Sequence, residues 1–261
     1  MLAPQPLNGI QTADILGIPI HNVTLEKSVT LICDMAMSSK SHHVVTVNPE
    51  FVMLAQKNPE FRRVLCDASL ALADGIGIIW AAKILRQPVS ERVAGVDTVL
   101  SLARAAREND LSIFLLGAAP GVAEKTAVIL QEQNPGLRIA GTYAGSPRRE
   151  EEDQICAMIE VTHPDILLVA YGPPRQDLWI ARTRQRLQIP VAIGVGGTFD
   201  FIAGVTKRAP KWVRAIGFEW LHRLIREPYR WRRMLTLPEF ALVVVKFRFL
   251  FAARYEGGTE S

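Results

Sequence analysis

Short apolar runs alternate with longer amphipathic ones through the first three quarters of the chain. The runs S-H-H-V-V-T-V-N (41–48), S-L-A-L-A-D (69–74), L-S-I-F-L-L-G-A (111–118), L-R-I-A-G-T-Y (137–143), D-I-L-L-V-A-Y-G (165–172) and P-V-A-I-G-V (190–195) read as strands. Runs of about four to eight mostly apolar residues, bounded by turn residues, suit strands buried on both faces. Helical patterns occupy 25–39, the stretch from Pro49, 75–85, 96–107, 121–132, part of 148–162, and 174–187. A short strand pair is expected within 15–24, and no internal repeat is read. Strands and helices in this alternation predict parallel βαβ units, an α/β fold with helices on both faces of the sheet.

From about residue 205 the pattern changes. T-K-R-A-P-K-W-V-R-A-I-G-F-E-W-L-H-R-L-I-R-E-P-Y-R-W-R-R-M is helical, dense in Arg and Trp, and broken by Pro228. The run 238–255 is apolar but interrupted by Lys246, Arg248 and Arg254. The expected division is therefore an α/β body over 1–204 and a basic helical appendage over 205–261.

Charge sharpens that division. Between Lys207 and Arg254 stand 12 Lys and Arg against Glu219, Glu227 and Glu239, a net +9 that leaves −5 for the rest of a chain whose total is +4. An acidic body with a basic end suggests attraction to an anionic surface. The 261 residues suffice for a substantial core. Cys33, Cys66 and Cys156 are far apart, each in an apolar stretch, and read as free thiols suited to a reducing compartment. The N-terminal segment lacks the marks of a signal peptide, and no uninterrupted apolar stretch is long enough to span a bilayer. A cytoplasmic protein held peripherally at the inner face of the plasma membrane is the expectation.

Candidate chemistry falls at the ends of the predicted strands. In a Rossmann-like, mostly parallel sheet, ligands lie beyond the carboxyl ends of the strands, which places Thr46, Asn48, Asp74, Gly117, Gly172 and the glycines at 194–197 on one rim. Asp74 in A-D-G-I-G-I reads either as a helix cap or as a general base, and by itself the cap is the commoner role for such an Asp. G-A-A-P-G-V-A-E-K (117–125) resembles a phosphate-cradling turn without being a Walker loop or G-x-G-x-x-G. In G-V-G-G-T-F-D-F-I-A-G (194–204), Gly196 and Gly197 allow close approach of the backbone to a ligand, and Asp200 suits a ribose. Y-G-P-P-R-Q-D-L-W-I (171–180) opens a helix and presents Gln176 in its first turn. In E-R-V-A-G-V-D (91–97), Arg92 and Asp97 are expected to pair with each other or Asp97 to cap a helix. His42 and His43 have no metal-ligand spacing, and no DxD is present.

Taken in order, T-V-N-P-E, A-D-G-I-G, E-R-V-A-G-V-D, G-A-A-P-G-V, Y-G-P-P-R-Q-D-L-W-I and G-V-G-G-T-F-D-F-I-A-G-V-T-K-R-A-P resemble the bacterial WecG/TagA/CpsF glycosyltransferases, glycosyltransferase family 26, over about residues 20–235. The resemblance implies an inverting transfer, without metal or other cofactor, of N-acetylmannosamine or its uronic acid from a UDP-sugar. The implied acceptor is N-acetylglucosamine on a polyprenyl diphosphate, and the bond is β-1,4. By motif, Asp74 is the implied base, and Thr46 and Asn48 line the sugar and acceptor side. Gln176 meets the diphosphate and Asp200 the nucleoside, while Arg223, Arg230 and Arg233 close over the site. Arg175 stands where the family usually has Lys.

That chemistry suits these residue types. Inversion needs one base opposite the leaving group, and a leaving diphosphate without a metal needs guanidinium partners. A bilayer-bound acceptor gives Trp212, Trp220, Tyr229, Trp231 and the basic residues around them a reason to sit at the membrane surface. Two alternatives remain open here: the same fold with another hexose or hexuronic acid as donor, and a basic membrane- or RNA-binding module without catalysis. No nucleic-acid partner is expected on the first reading, and self-association into a homo-oligomer is left open. A dehydrogenase is disfavoured because the first βα turn lacks G-x-G-x-x-G.

Overall fold

Six parallel strands in the order β4-β3-β8-β7-β5-β6 form the centre of the computed structural model, which describes residues 9–210, 213, 219–226 and 231–256. These strands are β3 (His42–Val47), β4 (Leu70–Ala73), β5 (Ser112–Gly117), β6 (Arg138–Tyr143), β7 (Ile166–Ala170) and β8 (Val191–Gly194). Ahead of them lies an antiparallel hairpin of β1 (Thr12–Ile15) and β2 (Ile18–His21), set a few residues before its expected position. The helices of the body are α1 (Leu25–Ala36), α2 (Pro49–Lys57), α3 (Pro59–Cys66), α4 (Ile76–Leu85), α5 (Gly95–Glu108), α6 (Val122–Gln133), α7 (Arg149–Thr162), α8 (Arg175–Leu187) and α9 (Thr198–Ile202).

Alternate strand residues supply opposite faces of the sheet. Val44, Leu72, Ile113, Leu115, Leu168 and Ile193 pack in one core with Ile32 of α1, Leu102 of α5, Leu130 of α6 and Phe199 of α9. On the other face, Val45, Val47, Ala71 and Ala73 meet the hairpin and α2 to α4. Phe114, Leu116, Leu167 and Val169 meet α7 and α8 on that same face, farther along the sheet. The near-continuous apolar strands follow from this double cover.

The expected helix after Pro49 is two helices, and the reason is a repeat that the sequence reading passed over. N-P-E-F occurs at 48–51 and again at 58–61. Each Asn caps a helix, Asn48 Oδ1 accepting from Phe51 N at 3.2 Å and Asn58 Oδ1 from Phe61 N at 3.0 Å. Each Pro occupies the first helical position, where its missing N–H is no loss. The two Phe rings then meet at 5.5 Å in a tilted pair.

Three helices are described beyond the body: α10 (Glu219–Arg226), α11 (Trp231–Met234) and α12 (Thr236–Glu256). The last does not stand away from the body. Phe240 and Val244 are 2% and 0% exposed in the core that also holds α2 and α4, and Lys57 Nζ pairs with Glu239 at 3.0 Å. The C-terminal helix thus closes one side of the fold. No helix among the described residues is long and apolar enough to cross a membrane.

Phe240→Ala should therefore destabilise the whole protein by about 3–5 kcal/mol in denaturant unfolding, the range for a buried Phe. A helix that served only as a surface arm would leave the unfolding midpoint unchanged.

Candidate active site

The first and last strands of the parallel sheet, β3 and β8, are neighbours. From β3 the chain turns outward to β4, whereas it reaches β8 from β7 on the other side. Where connections diverge in this way a crevice opens beyond the strand ends. Asp74 follows β4, Asn48 follows β3, the glycines at 194–197 end and follow β8, Gly172 follows β7, and Gly117 ends β5. Five adjacent strands at about 4.8 Å spacing spread these residues over about 19 Å.

Thr46 and Asn48 occupy different settings. Thr46 is buried, and its hydroxyl donates to Gly194 O at 3.0 Å, fastening β3 to β8. Asn48 is half-buried at the rim and caps α2. Asn58 forms the same cap at the start of α3, so capping alone does not distinguish Asn48 as a ligand residue. Its amide nitrogen has no protein partner among the described residues.

Asp74 reverses the expectation of a cap. The N-cap of α4 is Gly75, which has no side chain to offer. Asp74 donates its backbone N–H to Val47 O at 2.8 Å, and its carboxyl is turned to other partners. Although the residue retains some solvent access, protein crowds the carboxyl itself. Burial is the main cause that pushes its pKa up from 3.8 to about 7; Arg92 opposes this, Glu219 adds to it, and the Gly95 N–H and Arg208 also oppose it. The second glycine of A-D-G-I-G permits this placement, since a Cβ at Gly77 would lie 2.6 Å from Pro49 Cγ. The Asp74 turn is thereby pressed against Asn48–Pro49.

Gln176 is not displayed to solvent. At 0% exposure, its Oε1 accepts from Gly172 N at 3.1 Å and Gly196 N at 2.9 Å. It staples the loop after β7 to the loop after β8 and leaves its Nε2 buried without a hydrogen-bond partner among the described residues. Beside it Asp177 is also 0% exposed, with His43 Nε2 3.3 Å from its Oδ1. This buried carboxylate and imidazole were not singled out as a pair, because nothing in sequence spacing links position 43 to position 177. Gly117 has φ 103°, and a Cβ there would meet Ala170 C at 2.8 Å. Asp200 is half-buried on α9.

The 91–97 segment, a short loop running into α5, holds ion pairs with the C-terminal segment. Arg208 Nη1 and Nη2 each reach an oxygen of Asp97 at 2.6 Å. Arg92 Nη1 donates to Glu219 Oε2 at 3.1 Å, and Arg208 Nε lies 3.5 Å from Glu219 Oε1. Asp97 sits within the first turn of α5 and is not its N-cap. Arg208 and Glu219 were not foreseen, since a charge in a basic helical stretch reads by default as solvated. Arg230, and the side chains of Arg223 and Arg233, lie outside the described residues, as do Trp212 and Tyr229. Large apolar side chains are exposed on α4 (Ile76 and Trp80), α10 (Trp220 and Ile225), α11 (Trp231) and α12 (Phe249).

The doubly wound sheet, with a carboxyl and glycine turns along one rim, has the build of an enzyme that takes a ligand across its strand ends. Residues 13–253 match the glycosyl transferase WecG/TagA/CpsF family, and the chain belongs to it. An N-acetylglucosaminyldiphosphoundecaprenol N-acetyl-beta-D-mannosaminyltransferase of Bacillus spizizenii (strain W23) is 37% identical over 210 residues, covering 80% of each chain. A protein of the same name from Bacillus subtilis (strain 168) is 33% identical over 238 residues, 91% of this chain and 92% of the relative. One from Staphylococcus aureus (strain MRSA252) is 30% identical over 235 residues, 89% and 92%.

Gly194 tests the buried staple. A Cβ there would lie 2.5 Å from both Gln176 Nε2 and Asp177 Oδ1. Gly194→Ala should lower stability by about 1–3 kcal/mol, the scale of overpacking in a filled core. Thermal unfolding at the wild-type midpoint would show that these side chains have room to move.

Proposed function

We propose that this chain transfers N-acetylmannosamine, or its uronic acid, from a UDP-sugar to N-acetylglucosamine on a polyprenyl diphosphate, with inversion, in the synthesis of a bacterial cell-surface polymer. The observation that carries the reading is Asp74, a carboxyl at a strand end pushed up to about 7, within a chain of this family. The names of the relatives supply the sugar and the acceptor. In the proposed step, an acceptor hydroxyl oxygen bonds to the anomeric carbon as the bond from that carbon to UDP breaks on the opposite face. The hydroxyl proton passes to the Asp74 carboxylate, and UDP leaves with the bonding electron pair. A base poised near the working pH combines adequate ionisation with adequate proton affinity.

Asn48 lies on the acceptor side of this arrangement, while Thr46 serves it from below by holding the β3–β8 join. Gln176 shapes the turns at Gly172, Gly196 and Gly197 for the diphosphate. Asp200 takes the nucleoside. Arg223, Arg230 and Arg233 offset the charge of the leaving diphosphate without a metal. The exposed Trp and aliphatic side chains of α4 and α10 to α12, interleaved with Lys and Arg, suit docking on an anionic bilayer.

Transfer of radiolabelled UDP-sugars to a synthetic N-acetylglucosaminyl diphospholipid tests the reading. Only the ionised form of Asp74 accepts a proton, so turnover should rise tenfold per pH unit up to about 7 and then level. Asp74→Asn should retain UDP-sugar binding and lose about 10²–10⁴ in turnover. Near-normal turnover in this variant would place the base elsewhere.

With EDTA present, the same assay should show unchanged turnover. Single Arg→Ala changes at 223, 230 and 233 should each lower turnover by about 10²–10³, the scale for losing a donor that stabilises developing charge. Activity lost to EDTA and restored by Mg²⁺ would overturn the metal-free step.

A further inference from the structure

Four charged side chains alternate in sign between the body and the segment that follows α9. Asp97 is gripped by Arg208 through two bonds of 2.6 Å. Arg208 reaches Glu219 at 3.5 Å, and Glu219 takes Arg92 at 3.1 Å. These pairs join positions 111 and 127 residues apart. Exposed pairs of this kind contribute little, but these side chains are only 18–33% exposed, and the Asp97–Arg208 pair has the bidentate geometry that makes such contacts strong and directional.

The arrangement has a consequence at Asp74. Among the described residues, the charges that act on its carboxyl are Arg92 from the loop before α5, Glu219 from α10 and Arg208 from the segment after α9, together with the Gly95 N–H. From α2, Asn48 and Pro49 pack beside the glycines that follow Asp74, and Glu50 is the acidic residue of that helix's first turn. Arg92 forms its ion pair with Glu219 and none with Asp74. A guanidinium paired directly with Asp74 would stabilise the carboxylate and weaken it as a proton acceptor. Glu219 is placed to prevent that, and Arg208 with Asp97 is placed to hold Glu219.

We propose that Asp97 and Arg208 clasp the C-terminal segment to the rim, and that Glu219 is thereby a positioning residue that holds Arg92 off Asp74. The kinetic side of this proposal rests on the reading of Asp74 as the base; the clasp itself does not.

The test is a titration of the Asp74 side-chain carboxyl carbon by NMR in the full-length protein, assigned by its loss in Asp74→Asn. Glu219→Gln should move the Asp74 midpoint to lower pH by about one unit or more, because a neighbouring negative charge is lost and Arg92 is released. Glu219→Ala removes the same charge independently and should do likewise, whereas Glu219→Asp should keep most of the wild-type midpoint. In the transfer assay, the acid limb of the pH–rate profile should move with the NMR midpoint. A purely structural role for Glu219 would lower thermal stability and leave the midpoint in place. An Asp74 midpoint unmoved in both Glu219→Gln and Glu219→Ala overturns the proposal. A shifted midpoint with no sugar transfer in the wild type would uphold the positioning role of Glu219 and reject the transferase reading.

Discussion

The contact on which the rest depends is the join between β3 and β8. These strands carry residues from opposite ends of the body, and the Thr46 hydroxyl reaches Gly194 O across a separation of 148 positions. With that join made, the end of β3 at Asn48 lies between the turn after β8 and the Asp74 turn after β4. Without it, the rim would be two half-sites on separate strands. A hydroxyl bond in a dry interior leaves its carbonyl badly off when removed, so the register of the crevice is tied to the integrity of the core.

The strands and helices were legible because burial on both faces writes continuous apolar runs between amphipathic ones. The rim was legible for the same reason, since strand ends follow from strands. The roles of individual rim residues were harder to read. Asp74 had the setting of a cap, but Gly75 takes that position and the carboxyl is left with charged neighbours. Asn48 had the setting of a binding residue and is, in its Oδ1, a cap repeated ten residues later by Asn58. Gln176 was read as a first-turn residue for a diphosphate, and in the structure its Oε1 accepts from the Gly172 and Gly196 N–H groups. Composition cannot tell these cases apart, because each depends on which neighbouring backbone group lacks a partner.

The C-terminal segment resisted reading for a different reason. Its basic and aromatic residues drew attention to an external surface, while two of its functions are internal. Phe240 and Val244 complete a core begun by residues 13–89, and Arg208 and Glu219 meet the 91–97 segment. Periodicity reports which residues share a face of a helix. It does not report which distant element covers that face, and α12 has apolar residues all round, so no single face stood out.

The placement of α4 has a geometric consequence. Its start adjoins Asp74, its inner face rests on α12 through the shared core, and Trp80 projects outward at 51% exposure. The helix begins at Ile76, two residues after Asp74, and rises about 6 Å from there to Trp80. With Trp80 at the level of lipid headgroups, as the proposed function would have it, Asp74 would be held within a short, fixed distance of the bilayer surface. A sugar attached directly to a membrane-anchored diphosphate would lie within that distance, and one carried several residues farther along a growing glycan would lie beyond it. The rigid spacing would thus favour an early step of chain assembly through distance alone.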